Sequence, residues 1–100
     1  MNRPEILTEE EIHQHLYNLK NWERVEGKIY AKFSNFESYR KTIDFVIKIS
    51  YVIEELDHHP EIRIGYNDLQ VYSSTHQPKG LTRLDFKLAE EINRVFFEFL

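Results

Sequence analysis

Three short polar sequences with the spacing of a capping box mark where helices begin in this chain. In a capping box, a Ser or Thr accepts a hydrogen bond from the amide three residues later, and the acidic side chain there bonds back. The three sequences are Thr8-Glu9-Glu10-Glu11, Ser34-Asn35-Phe36-Glu37 and Thr82-Arg83-Leu84-Asp85. Because apolar residues at helical spacing follow each one, we predict helices from 8 to about 18–21, from 34 to about 57, and from 82 onward.

The segments between these helices alternate apolar and polar residues, as strands with one buried face do. Residues 22–25 and 28–33 flank a turn at Glu26-Gly27, residues 62–66 and 69–73 flank a turn at Asn67-Asp68, and Gln77-Pro78-Lys79-Gly80 is predicted to be a loop. The order α-β-β-α-β-β-α predicts an α+β fold with a four-stranded antiparallel sheet and three helices packed on one face. The length suits a single domain over residues 1–100.

The second helix is apolar on two sides. One side carries Phe45, Ile49, Val52 and Leu56, and the other carries Ile43, Val46, Ile47 and Ile53. One side would cover the sheet of the same chain, so the other needs a different cover. A second subunit packed against helix 35–57 is the simplest one, and we therefore expect a homo-oligomer, either a dimer or a tetramer. The alternative is a helix enclosed within its own domain, which is difficult in so short a chain.

The composition excludes several classes of protein. The chain has no cysteine, which excludes disulfides, thiolate metal sites and cysteine nucleophiles. Its formal net charge of -4 argues against a general nucleic-acid binder, so we expect no direct nucleic-acid partner. No run approaches the roughly 20 apolar residues of a membrane-spanning helix, and the first residues lack the apolar segment of a signal peptide. We therefore expect a cytoplasmic protein without a membrane partner.

Three of the five histidines lie where proton chemistry is possible. His58 and His59 follow the second helix, and His76 lies at the end of a strand if that strand continues so far. Glu54 precedes His58 by one helical turn, so its carboxylate can reach that imidazole if the helix persists. Asp85 begins the last helix, just after the loop that follows His76. Imidazoles and carboxylates that converge on a cleft suit proton transfer near neutral pH.

The same residues also fit roles that involve no proton transfer. Histidines after a helix are often only polar residues at a favourable place for positive charge, and Asp85 is accounted for by its capping box. A zinc site made of His76, a carboxylate and one of the two adjacent histidines is a further hypothesis, although the His-Glu-x-x-His spacing is absent. The remaining histidines, His13 and His15, are predicted to be surface residues of the first helix.

The candidate residues belong to a longer spaced pattern. It reads Glu54-x3-His58-His59-Pro60, then five residues to Tyr66, nine to His76 and eight to Asp85. Around it lie Leu56-Asp57-His58-His59-Pro60-Glu61, Ser74-Thr75-His76 and Gly80-Leu81-Thr82, and upstream lie Trp22 and Phe33-x-x-Phe36. In a chain of this size and element order, the whole set resembles the pterin-4a-carbinolamine dehydratases from about residue 16 to residue 92.

The resemblance implies a hydro-lyase, a 4a-hydroxytetrahydrobiopterin dehydratase. Such enzymes convert 4a-hydroxytetrahydropterin, the 4a-carbinolamine, to quinonoid dihydropterin, with water leaving from carbon 4a and a proton leaving nitrogen 5. The reaction belongs to tetrahydrobiopterin recycling, so a functional link to an aromatic amino-acid hydroxylase is implied. The pterin is the substrate, and neither a metal nor a bound cofactor is implied.

The resemblance also implies roles for single residues. His58 and His76 would be the acid and base of catalysis, and His59 would hold and polarise the pterin. Glu54 would orient His58 or bind the polar edge of the ring, and Pro60 would shape the wall of the pocket. The rest of the implied substrate-binding set is Thr75, the backbone of Gln77-Pro78, and Asp85, which has either a role in the site or only one in the helix cap.

The resemblance bears on partners as well. The family forms dimers and tetramers in which long helices pack together, which agrees with the two apolar sides of helix 35–57. Some animal members also act as dimerisation cofactors of a homeodomain transcription factor, so a non-catalytic assembly or transcriptional-cofactor module on the same fold is the alternative function. The chain departs from the pattern at Ile62, where some members have an aromatic residue, and residues 77–79 belong to a variable stretch.

Overall fold

The computed structural model describes residues 4–100, in which three helices and six strands follow one another. The helices are α1 (Glu9–Tyr17), α2 (Tyr39–Leu56) and α3 (Arg83–Phe99). The strands are β1 (Trp22–Val25), β2 (Lys28–Phe33), β3 (Glu61–Ile64), β4 (Leu69–Ser73), β5 (Thr75–His76) and β6 (Lys79–Gly80). The predicted order of elements is confirmed, with β5 and β6 as an additional small hairpin. The predicted domain also includes residues 1–3, which lie outside the described residues.

The four longer strands form one antiparallel sheet in the spatial order β1-β2-β4-β3. Its register pairs Ile29 with Ser73 and Glu61 with Tyr72. Alternate residues of β2 and β4 are buried beneath the helices, and these are Ile29, Ala31, Phe33, Leu69, Val71 and Ser73. The three helices therefore pack on one face of the sheet, as the alternation of apolar and polar residues predicted.

Two of the three predicted capping boxes are confirmed. Thr8 caps α1 together with Glu11, and Thr82 caps α3 together with Asp85. In both cases the side chain of the first residue and the carboxylate of the fourth satisfy amides that the helix itself leaves unpaired. The beginning of the last helix is thereby fixed at the residue that the sequence indicated.

The predicted capping box at Ser34 is wrong, because α2 begins at Tyr39. Its N-cap is Ser38, whose side chain accepts a hydrogen bond from the amide of Lys41. Asn35 has a left-handed backbone with φ of 69°, which no helix continues, and Phe36 is buried among three other phenylalanine rings at centroid distances of 5.4 to 6.1 Å. Burying such a ring contributes about 2 kcal/mol and a cap only about 1 kcal/mol, so packing decides where the helix starts.

The two sides of α2 differ from the prediction in part. The side of Phe45, Ile49, Val52 and Leu56 packs in or against the core, as expected. Ile53 and Val46, assigned to the opposite side, also pack against the core. The apolar residues left on the far side are Tyr39, Ile43, Ile47 and Tyr51, spaced four apart, and we call this set the outer face of α2. Ile47 is 52% exposed and Tyr51 72%.

The chain after β4 changes its pairing partner. The burial alternation continues from β4 through Thr75, which is buried, to His76, which is exposed. However, Thr75 pairs with Gly80 and His76 with Lys79, in a separate two-stranded sheet. The loop predicted for residues 77–80 is therefore wrong for its last two residues, and only Gln77 and Pro78 form the turn.

The segment before α1 packs on this small hairpin. The amide of Leu7 bonds the carbonyl of Leu81 at 2.9 Å. Gly80 has φ of 143°, where a side chain is strained, and a Cβ there would come within 2.8 Å of the Ile6 side chain. Glycine at this position thus allows the hairpin and the first segment to meet. No helix within residues 4–100 combines the length and the apolar character that a membrane crossing requires.

Candidate active site

The end of α2 turns two adjacent histidines in different directions. Asp57 has a left-handed backbone, with φ of 50° and ψ of 46°, which stops the helix. Its amide bonds the carbonyl of Glu54, and the amide of His58 bonds the carbonyl of Ile53. This is the hydrogen-bond pattern of a Schellman motif, which reverses the direction of the chain. As a result, His58 is only 8% exposed, whereas His59 lies in solvent.

His58 is held by a buried carboxylate. Its Nε2 lies 2.7 Å from Oδ1 of Asp85, which is completely buried. A ring nitrogen that faces a carboxylate carries the proton, which leaves Nδ1 as the other functional nitrogen. Within residues 4–100, Nδ1 of His58 has no hydrogen-bond partner. Every fully buried side-chain nitrogen or oxygen in these residues does have one, so Nδ1 is not fully buried and reaches solvent. The protein thus fixes one nitrogen of His58 and leaves the other able to take up or release a proton.

Asp85 is the centre of a buried hydrogen-bond network. Its Oδ1 accepts from His58 and from the hydroxyl of Ser73 at 2.6 Å. Its Oδ2 accepts from the hydroxyl of Thr75 at 2.8 Å and from the amide of Thr82 at 3.0 Å. The carboxylate therefore caps α3 with one oxygen and anchors His58 with the other. A single side chain thus has both the role in the site and the role in the helix cap.

The ionisation of Asp85 follows from these contacts. Desolvation by burial is the largest single effect and raises its pKa. The hydrogen bonds from His58, Ser73, the Thr82 amide and Thr75 act in the opposite direction, and the net result is a pKa below the ordinary value for aspartate. Asp85 is therefore a buried anion at neutral pH, and its two oxygens accept four hydrogen bonds.

Glu54 lies beside His59 and does not anchor His58. Its Oε2 is 3.7 Å from Nε2 of His59, and Asp57 lies 4.0 Å from Nδ1 of the same ring. The expectation that Glu54 orients His58 is wrong, because the helix ends before His58 and turns that ring inward toward Asp85. The groups around His59 are all exposed to solvent, which weakens their attraction.

His76 lines a cavity of about 480 Å³ between the β1–β2 turn and the β5–β6 hairpin. The residues that line it are Gly27, Lys28, Ser74, Thr75, His76, Lys79 and Gly80. Of the predicted site residues, this wall contains Thr75 and His76. Gln77 and Pro78 form the turn of the hairpin, joined by a cis peptide bond, and lie outside the wall. We call this space the His76 cavity.

Asp85 connects the two parts of the site. It bonds both His58, after α2, and Thr75, the neighbour of His76. The β3–β4 register, which pairs Glu61 with Tyr72, brings the half-buried Pro60 alongside the end of β4. No hydrogen bond in the described part of the chain joins His76 to His58 or His59. Asp85 therefore joins His58 directly to Thr75, and His76 is connected to this network only as the residue that follows Thr75 in β5.

The zinc-site hypothesis finds no support in the described residues. Across residues 4–100, no three His, Cys, Asp or Glu side chains come close enough together to hold a metal ion. Glu54 and Asp57 lie 3.7 and 4.0 Å from the two nitrogens of the His59 ring, and all three side chains are exposed. Glu54 faces Nε2 and Asp57 faces Nδ1 of the His59 ring, so the two carboxylates do not converge on one imidazole nitrogen as ligands of one zinc ion must.

Sequence reasoning missed Ser73 as part of the site. It occupies the third buried position of β4, after Leu69 and Val71. A hydroxyl on the buried face of a strand must find a partner, so this polar residue in an apolar pattern was the available signal. Its hydroxyl donates to Asp85 and not to His58, so Ser73 helps to hold the carboxylate.

Comparisons with known proteins identify the family. The sequence model of the pterin 4 alpha carbinolamine dehydratases matches residues 5–95. The chain belongs to this family. A relative in Picosynechococcus is 42% identical over 83 residues, covering 83% of this chain and 89% of its own. Another, in Sulfolobus acidocaldarius, is 35% identical and covers 89% of this chain and 97% of its own. Both carry the provisional name pterin-4-alpha-carbinolamine dehydratase.

Solved structures show the same fold. A Brucella melitensis protein described as a transcriptional coactivator/pterin dehydratase is 33% identical, has a TM-score of 0.85, and covers 91% of this chain and 98% of its own. A pterin dehydratase-like protein, described as a RuBisCO assembly factor in the alpha-carboxysome, is 17% identical with a TM-score of 0.62. It covers 82% of this chain and 93% of its own. At this identity, the comparison shows only that the two proteins share a fold.

Proposed function

We propose that this member of the family is an active pterin-4a-carbinolamine dehydratase. It would convert a 4a-hydroxytetrahydropterin to quinonoid dihydropterin and water. The carbon 4a–oxygen bond breaks as the hydroxyl takes up a proton, nitrogen 5 loses its proton, and a double bond forms between these two ring atoms. The observation that carries the proposal is the contact between His58 and Asp85, which leaves one imidazole nitrogen available for proton transfer.

We assign the acid–base steps to His58 and His76. The reaction needs an acid at the departing hydroxyl and a base at nitrogen 5, and two imidazoles on different sides of a flat ring can meet both needs near neutral pH. His59 would hold and polarise the pterin. Asp85 would act through His58 as a positioning residue, because its carboxylate fixes the orientation of that ring.

The substrate-binding assignments follow from position. Glu54 lies beside His59 in the structure, so we assign it to the polar edge of the pterin. Thr75 would contribute to the wall of the His76 cavity, and Pro60 would close the site near the end of β4. The backbone of Gln77-Pro78 would contact the ligand only from the hairpin turn.

The wider assignments rest on the family and on the outer face of α2. We propose that the reaction serves tetrahydrobiopterin recycling in the cytoplasm, coupled to an aromatic amino-acid hydroxylase and without a metal or bound cofactor. We also propose a homo-oligomer, dimer or tetramer, in which α2 packs against α2 of another copy. The exposed Ile47 and Tyr51 support this packing.

A dehydratase assay tests the function directly. A chemically prepared 4a-carbinolamine is followed by absorbance with the wild-type protein, with His58→Gln, with His76→Gln and with the double variant. We expect the double variant to lose about 10²-fold or more in kcat/KM, since general acid–base catalysis contributes at least that much. His13→Gln, on the exposed surface of α1, is the matched control. Full activity in the double variant would contradict the residue assignment, and an inactive wild-type protein would contradict the function.

A second candidate is an assembly or transcriptional-cofactor module without catalysis. The apolar outer face of α2 and the 81% exposed Phe97 favour it, and the Brucella relative is described as a coactivator as well as a dehydratase. The dehydratase assay and copurification distinguish the two functions. A wild-type protein that is inactive in the assay, yet copurifies in fixed stoichiometry with a larger partner, would favour the module.

A further inference from the structure

The wall of the His76 cavity carries two lysines. In the β5–β6 hairpin, Lys79 pairs directly with His76, and directly paired residues extend their side chains to the same side of the hairpin. Lys28 comes from the start of β2, whose register pairs Ile29 with Ser73 and so places Lys28 next to Ser74. Both lysines line the cavity together with His76. Two separate strand pairings thus place two lysines in the same cavity wall as a candidate proton-transfer residue.

Neighbouring carboxylates balance the charge of this wall only in part. None of the residues that line the cavity is acidic. Glu61 lies 3.7 Å from Lys28 but also bonds Arg63 at 3.0 Å, so one carboxylate serves two cations. Within residues 4–100, Lys79 makes no ion pair. In a chain with a formal net charge of -4, the cavity is therefore a locally positive site.

The chemistry of the substrate places a substituent here. Nitrogen 5 of a pterin is bonded to carbon 4a and to carbon 6, and carbon 6 carries the side chain that distinguishes one pterin from another. Whichever of the two reacting atoms His76 serves, that side chain lies close by. A cavity of about 480 Å³ is larger than a short side chain requires, and binding sites of roughly 300–1,000 Å³ hold whole small ligands.

We propose that the His76 cavity binds an anionic substituent on carbon 6 of the pterin through Lys79 and Lys28. This inference rests on the proposed function and specifies its substrate class. The shared chemistry is a carboxylate or a phosphate ester. An uncharged hydroxylated side chain would leave Lys79 without an anionic partner and Lys28 with only the carboxylate of Glu61, which Arg63 shares. An anionic substituent would pair with both ammonium groups.

Fluorescence titration of the full chain with stable pterins tests the inference independently of turnover. The probes are biopterin, which has an uncharged side chain, pterin-6-carboxylate, and the phosphate ester of 6-hydroxymethylpterin. We expect at least one anionic probe to bind roughly fivefold more tightly than biopterin at low ionic strength, the size expected of exposed ion pairs. The preference should shrink at 0.2 M salt, because added salt screens exposed charges.

Replacing the lysines by glutamine tests whether the preference depends on the charge of the cavity wall and not on the shape of the cavity. Lys79→Gln and the double variant with Lys28→Gln should reduce the preference toward unity, because the anionic probes lose an ionic partner and biopterin loses none. Lys20→Gln, which replaces an exposed lysine in the connection between α1 and β1, is the matched control and should leave the preference intact. The carboxylate and phosphate arms show which anion the cavity favours.

Three results would overturn the inference. Equal affinity for biopterin and both anionic probes would do so, and so would a preference that survives the double lysine variant. Binding of biopterin alone would remove the inference and leave the proposed dehydratase intact. Failure of every pterin to bind would remove both, so the failures are distinguishable.

Discussion

Asp85 makes the position of His58 and the beginning of α3 depend on one side chain. Its two oxygens accept four hydrogen bonds, from one imidazole, two hydroxyls and one amide. A buried anion is tolerated only when such donors surround it, because an unpaired buried charge costs several kcal/mol. The same network that fixes the candidate catalytic imidazole therefore contributes to the stability of the fold.

We predict that Asp85 makes stability fall in acid. Its pKa is lowered in the folded protein, so between the folded value and the ordinary value near 3.9 the unfolded chain binds more protons. The contribution is complete above about pH 4 and is lost as the pH falls through the folded pKa. Urea unfolding at pH 6 and pH 3 measures this change in the wild type and in Asp85→Asn. We expect the variant to lose about 2 kcal/mol at pH 6 and less at pH 3.

The control for this measurement is Glu90→Gln, which removes an exposed carboxylate from the same helix. It should follow the wild type at both pH values. If the unfolding free energies of Asp85→Asn and the wild type change in parallel between pH 6 and pH 3, the ionised Asp85 is not the source of the acid sensitivity.

At the scale of elements, the two serines before α2 show that tertiary packing, and not the local capping sequence, decides where this helix begins. Ser38 bonds the amide of Lys41, whereas Ser34 precedes a left-handed Asn35 and a buried Phe36. We predict that Ser38→Ala lowers the free energy of unfolding by about 1 kcal/mol. Ser34→Ala, the matched control, should change it by less than about 0.5 kcal/mol. Chemical denaturation measures both, and the reverse order of effects would mean that the capping box at Ser34 forms after all.

The contrast between these serines also indicates how far the sequence predicts this fold. The first hairpin has its predicted bounds, because its turn and alternation are local features of residues 22–33. The cap at Thr82 is also local and is confirmed. The start of α2 depends on a distant contact, the burial of Phe36 against α3. Such a contact has no signature within a few residues of sequence.

The candidate site shows the same division. The sequence pattern selects His58, His59 and His76, but not their contacts. The partner of His58 is decided by the left-handed turn at Asp57, which moves Glu54 to His59 and leaves Asp85 for His58. A single residue tolerated in an uncommon backbone region thus determines which carboxylate reaches which imidazole. Spacing alone treats both carboxylates as possible partners.

At the scale of the whole molecule, the two sides of the sheet differ in how their surface groups are satisfied. On the side without helices, the guanidinium of Arg63 lies 4.8 Å from the ring centre of Tyr72, whose ring stands 4.8 Å from that of Tyr30. Lysines there pair with acidic neighbours at 3.7 and 3.9 Å. On the outer face of α2, by contrast, Ile47 and Tyr51 lie open to solvent, and this is why we place the proposed contact between copies there.

We predict that Ile47→Lys disrupts the proposed oligomer. A lysine at the centre of the outer face of α2 would bury an unpaired charge in the contact between copies, which costs far more than the loss of one apolar side chain. Size-exclusion chromatography with light scattering should show an oligomer for the wild type and a shift toward the mass of one chain for the variant. Glu90→Lys places the same residue on an exposed position of α3 and should keep the wild-type mass. A wild type that has the mass of one chain at high concentration would remove the oligomer, and equal masses for the wild type and Ile47→Lys would move the contact to another surface.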